Sequence, residues 1–277
     1  MKHRIRIGTA SWTDPTLTKE TDWYPKRSMS AEERLRFYAA RWLARTPDEF
    51  LFDIKAFGLF TGHGVKREAV WPDVAEALPD GGKPNVYLDH LPVEAVDLAW
   101  EHFRQALMPL HSAGKLGAVF FQFPPWFRPS RRSRAILHEL AERLPDYDLA
   151  VEFRHASWLA EPDRARTLDL LERHRLAHTC VDEPQGFPTS VPPVLAVTAP
   201  LAVPRLHGHN EENWERKGIT PAERFRYLYS PQELEAWAPR IEDLATNARE
   251  THVLFNNCYR DYGVRNAAQL AALLDVA

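Results

Sequence analysis

Cysteine is nearly absent. The 277-residue chain has two, Cys180 and Cys258, and neither sits in a CxxC pair. That excludes a disulfide framework and the commonest thiolate zinc spacing. No apolar run is long enough to cross a bilayer. "MKHRIRIGTASW" passes into a strand pattern without the apolar stretch of a secretory leader. The expectation is a cytoplasmic protein with no membrane association. A strong excess of one charge is missing too: 35 basic against 38 acidic residues leave a net charge of −3. Binding to nucleic acid through phosphate neutralisation is therefore possible but not favoured. "RPSRRSR" (128–134) is a locally basic stretch, more simply read as a solvated loop and helix start. GxGxxG, Walker and GxSxG motifs are all absent, so neither a dinucleotide fold nor a serine nucleophile elbow is indicated.

What is present is a filled core and a regular alternation. Hydrophobic residues make up 44% of the chain and aromatics 11%, enough to bury a core and to argue against disorder. Strand-like runs fall at 4–10, 50–55, 117–122, 149–153, 178–182, 202–207 and 252–256. Helical patterns lie between them at 30–45, 93–114, 133–144, 165–175 and 230–250, and "RNAAQLAALL" follows the last strand. Ser30 and Glu33 are spaced as a capping box. Strands apolar on both sides and alternating with helices predict a parallel sheet covered on both faces. Nearly every strand ends in polar groups, as a TIM-type (β/α) barrel requires, because its strand ends converge on one mouth. No composition break marks a linker, so residues 1–277 read as a single barrel domain.

Several segments together resemble one family: "RIGTASWTD", "WYP" (23–25), "RTPDEFLFDIKAFGLFTGH" (45–63), "VFFQFPP" (119–125), "VEFRHASW" (151–158), "RLHGHN" (205–210) and "FNNCYRDYGVRNAAQL" (255–270). They resemble the domain-of-unknown-function 72, or YecE-like, family across nearly the whole chain. The resemblance implies a TIM barrel and no established activity. It also exposes a departure. Family members carry a second strand reading roughly VEVNSTFY after the first helix, whereas here "ERLRFYA" runs straight into "ARWLARTPDEF". The second strand is missing from the sequence as given, and a defect is expected near residues 38–43.

The strand ends supply the candidate chemistry. Glu152 follows a buried apolar run, and Asp182 ends a nearby strand; two carboxylates on separate strands suit acid–base work. His207 is the third candidate, as proton donor or hydrogen-bonding group. Glu152, Asp182 and His207 together leave a divalent-metal site open, although no HExxH or CxxC spacing supports one, and no cofactor is expected. His155 also falls at a strand end. Lys55, Arg154 and Arg205 form a positive side suited to an anionic group. Gln122, Asn256, Asn257 and Tyr259 can orient a ligand by hydrogen bonds. Trp12, with Trp23, Tyr24, Phe123, Trp126, Trp158 and Trp214, can wall a pocket or cap the core. The reading that results is an enzyme using acid–base chemistry on a small polar, anionic or sugar-like substrate. The alternatives are a nucleic-acid or nucleotide binding module and a metal-dependent hydrolase or isomerase. Nothing in the sequence speaks to oligomeric state.

Overall fold

A computed structural model describes residues 4–9, 47–79 and 84–276 of the chain. The expected helix at 30–45, the junction at 38–43, and Trp12, Trp23 and Tyr24 lie outside the described residues. In chain order the described elements are β1 (Arg4–Thr9), β2 (Phe52–Lys55), β3 (Val65–Lys66), α1 (Pro72–Glu76), β4 (Asn85–Val86), α2 (Val93–Ser112), β5 (Leu116–Gln122), α3 (Arg131–Arg143) and β6 (Asp148–Glu152). They continue with α4 (Asp163–Arg173), β7 (Leu176–Asp182), β8 (Leu201–Leu206), α5 (Pro221–Arg224), α6 (Pro231–Asn247), β9 (Glu250–Phe255) and α7 (Tyr262–Leu273). Seven strands run in parallel pairs or ladders, and each falls on a run expected from the sequence. β3 and β4 form a small antiparallel pair. The result is an α/β fold of parallel strands flanked by helices, divided into two compact units.

The first unit holds five parallel strands in the order β1-β9-β8-β7-β6. Alternation along each strand sorts side chains onto two faces. Register pairs Cys180 with Pro204, Asp182 with Leu206, and Leu206 with Phe255. This face packs against helices: Cys180, Leu206, Val253 and Phe255 form one core with Leu234, Trp237 and Ile241 of α6 and Leu270 of α7. The other parity carries Val181, Arg205 and Leu254. Glu152, Glu183, His207 and Asn256 follow the same parity at or just past the strand ends. The second unit pairs β2 with β5 and packs Phe60 on Trp100 with ring centroids 3.9 Å apart, Phe103 and Phe121 lying alongside. Asp53 accepts from the Ala118 backbone N–H across that pair at 2.7 Å.

Helix boundaries follow local chemistry. Ser230 caps α6 in a capping box, its hydroxyl accepting from Glu233 N–H while the Glu233 carboxylate accepts from Ser230 N–H. α2 is closed by Gly114 in the left-handed region at φ +64°. The basic stretch 128–134 is partly structural. Ser133 is buried, and Arg134 pairs with Asp163 of α4 at 2.6 Å and lies over the Trp158 ring. Among the described residues no helix is long and apolar enough to cross a membrane.

Candidate functional site

Glu152 ends β6 with no exposed surface. One of its carboxylate oxygens accepts from Arg205 of β8 at 2.5 Å, and the other from Arg154 Nη1 at 3.3 Å. The same Arg154 nitrogen reaches Glu183 at 3.0 Å, just past the end of β7. Glu183 is buried as well, and its second oxygen accepts from the Val191 backbone N–H at 2.7 Å. Two buried carboxylates on neighbouring strands thus share one guanidinium nitrogen.

His207 completes the group. Its backbone N–H extends the β7–β8 ladder to the Asp182 carbonyl, and Asn256 extends β9 in the same way onto Leu206. The Asn256 side chain is oriented by its neighbours. Arg205 can only donate, so the oxygen Oδ1 must face it, at 2.6 Å. That turns Nδ2 toward His207 Nδ1, 2.9 Å away, which must then accept. The proton of neutral His207 therefore sits on Nε2, 3.5 Å from Glu152 and 4.0 Å from Glu183. Arg154 Nη1 also lies 3.3 Å from His207 Nε2. A guanidinium nitrogen thus occupies the point on which the two carboxylates and the imidazole converge.

The same burial drives the two carboxylates apart. For Glu152 burial raises the pKa, but Arg205, then His207 and Arg154, outweigh it and hold the group well below the usual carboxylate range. For Glu183 burial dominates. Arg154 and the Val191 N–H pull back only in part, the charge on Glu152 adds to the rise, and the pKa reaches about 7. Burial likewise lowers His207 to about 4 against the pull of Glu152, so the ring is neutral near pH 7.

Over this group lies the connection from β8 to α6. Trp214, buried, stacks its ring on Arg154 with the guanidinium carbon 4.9 Å from the centroid, and both Trp214 and Phe225 approach the His207 ring. The connection is pinned on the helix-facing side. Tyr229 donates to Asp182 at 2.6 Å while its hydroxyl oxygen accepts from Gly208 N–H. His209 contacts Asp182 at 3.0 Å and Glu233 at 3.5 Å.

These positions sort the expected residues. Glu152, Arg154, Arg205, His207 and Asn256 come together. Asp182 lies one parity off, on the helix-facing side, with Tyr229 and His209; Glu183 meets Arg154 instead. The signal for Glu183 was available in "TCVDEP", where it shares the parity of Val181 and Thr179. The His207-Gly208-His209 spacing suits a metal on paper, but the rings go to different partners, with Gly208 at φ +86° between them. Among the described residues no three His, Cys, Asp or Glu side chains are arranged to hold a metal ion. Asn257 is fully buried and bonds Asn266 of α7 and the Tyr227 carbonyl. Tyr259 stacks with Tyr262 and receives Arg226 and Arg260 on its ring. His155 bonds Ser157 and caps a short 3-10 turn. In the second unit Lys55 Nζ lies 3.4 Å from Gln122 Oε1.

Known proteins place the chain. The profile described as "Protein of unknown function DUF72" matches residues 39–277. UPF0759 protein YunF of Bacillus subtilis (strain 168) is 30% identical over 291 residues, covering 98% of this chain and 95% of that protein. That span is longer than the 277-residue chain, so the relative carries residues that have no counterpart here. A crystal structure of a DUF72 family protein from Thermotoga maritima covers 99% of this chain and 100% of its own at 28% identity and a TM-score of 0.70. One from Enterococcus faecalis has the same fold, at 24% identity and a TM-score of 0.74, covering 99% of each chain. The chain belongs to the DUF72 family.

Proposed function

We propose that this protein is an enzyme that performs acid–base chemistry on a small polar substrate at the strand ends of its first unit. The observation that carries this reading is the pair Glu152 and Glu183. They are buried side by side, bridged by one arginine, and pushed in opposite directions, Glu183 up to about 7. Carboxylates with divergent pKa values are the arrangement that lets one hold a proton at neutral pH while the other stays charged. Glu183 is the group that exchanges a proton with substrate. Glu152 remains ionised and fixes Arg205 and Arg154. His207, neutral and protonated on Nε2, donates a hydrogen bond. Asp182, expected from the sequence as a catalytic group, acts at one remove by anchoring Tyr229 and His209. The parallel strands with polar C-terminal ends support the finer reading of the fold as a TIM-type (β/α) barrel.

A divalent-metal mechanism has less support. The focus of Glu152, Glu183 and His207 is taken by Arg154 Nη1, a permanent cation. The test is turnover of a panel of sugar phosphates, hydroxy acids and nucleotides at pH 7, followed by NMR. On any compound consumed, Glu183→Gln is expected to lose roughly 10²–10⁴-fold in rate. Glu152→Gln is expected to lose rate as well, because Arg205 and Arg154 lose the carboxylate that fixes them. Variants that fold and turn over as fast as the wild type would refute the assignment.

A further inference from the structure

Arg154 is only half used. Its two hydrogen bonds, to Glu152 and Glu183, and its 3.3 Å approach to His207 Nε2 all run through Nη1. Its Nε and Nη2 have no partner among the described residues, and the side chain keeps 12% of its surface exposed. A guanidinium presents its donors as a planar fork, and the edge formed by Nε and Nη2 matches the two oxygens of a carboxylate or phosphate.

Its surroundings repeat the signal. Arg224 is locked in place by three backbone carbonyls, those of Asn213, Trp214 and Arg216. Carbonyls fix a guanidinium without cancelling its charge. Burial and the nearby charge of Arg154 both lower the Arg224 pKa, so the two cations sense each other, and Glu215 offsets this only in part. Around Arg154 the permanent positive charges are therefore Arg154, Arg205 and Arg224. The buried negative ones are Glu152 and a Glu183 that is protonated for part of the time near neutral pH. Trp214, on the same connection, covers Arg154, and its indole Nε1–H is buried without a partner among the described residues. An unpaired buried donor costs stability until a ligand or water accepts from it.

We infer that the open edge of Arg154, beside Arg224 and under Trp214, is an oxyanion subsite that takes a phosphate or carboxylate group of the substrate. This rests on the proposed function and narrows its substrate to an anionic one. An oxyanion there would accept two hydrogen bonds from Arg154 and relieve its repulsion with Arg224. The stacked indole shields the pair from water, which strengthens both contacts.

Isothermal titration of the wild-type protein at pH 7 with inorganic phosphate, and separately with malonate, tests the subsite. Saturable binding of at least one is expected, and the tighter arm identifies the group. Arg224→Gln should weaken that binding about tenfold or more. Glu183→Gln should retain or strengthen it, because a competing carboxylate is removed. If Arg224→Gln does not fold, Arg154→Lys serves instead: it keeps the charge for Glu183, lacks the fork, and should weaken binding to a similar degree. Wild-type protein that binds neither anion, or a folded Arg224→Gln or Arg154→Lys protein that binds as tightly as the wild type, would overturn the inference. Titration of Glu183 itself needs no ligand, so failure of the acid–base reading would be seen separately.

Discussion

At the scale of residues, the candidate site is a set of mutual constraints. Asn256 cannot turn its amide over without presenting Nδ2 to Arg205, which only donates. His207 is therefore held in the Nε2–H tautomer. Histidine ¹⁵N NMR is expected to show Nδ1 of His207 unprotonated and Nε2 protonated across the neutral range, with the ring remaining neutral until pH approaches about 4. A ring protonated on Nδ1 at pH 7 would mean that the Asn256 bond is not made. Some of this could be read from residue types alone. Glu152, Arg154, Arg205, His207 and Asn256 announce themselves as polar groups at the ends of apolar runs. Glu183 did not, because the adjacent Asp182 looks equivalent in a one-dimensional string. Only register tells them apart, since Asp182 pairs with the helix-facing Leu206.

At the scale of elements, the connection from β8 to α6 brings the aromatics over the network, and Gly208 sets its course. Its φ of +86° is one that residues with a side chain rarely adopt, and an added Cβ would lie 2.4 Å from the Cβ of Tyr227. Gly208→Ala should destabilise the protein by about 1–3 kcal/mol in urea unfolding. A variant as stable as the wild type would show that the connection is not held in this conformation. The strands were legible from the sequence because their apolar runs are short and bounded by polar groups. The connection was not, because Trp214, Phe225 and Tyr229 have no periodicity and are placed by contacts with β7, β8 and α7, for example the bonds between Asn266 and the Tyr229 backbone.

At the scale of the whole molecule, burial of neutral histidine predicts how stability responds to acid. His178 and His207 both have pKa values lowered to about 4 by burial, against a usual 6.5. Between those values the unfolded chain binds more protons, so these two groups remove stability as pH falls from about 6.5 toward 4. Glu183 has the opposite sign: raised from 4.5 to about 7, it removes stability as pH rises through that interval. With two histidines against one glutamate, stability measured by urea unfolding should fall from pH 6.5 to 4.5, and fall more steeply in Glu183→Gln. The measurement that bears most directly on the central claim is a carboxyl ¹³C NMR titration of glutamate-labelled protein, with Glu183→Gln and Glu152→Gln used for assignment. The account predicts one glutamate titrating near pH 7 that disappears in Glu183→Gln, and a second, lost in Glu152→Gln, still ionised well below pH 4.5. Both carboxyls titrating together near 4.5 would contradict it.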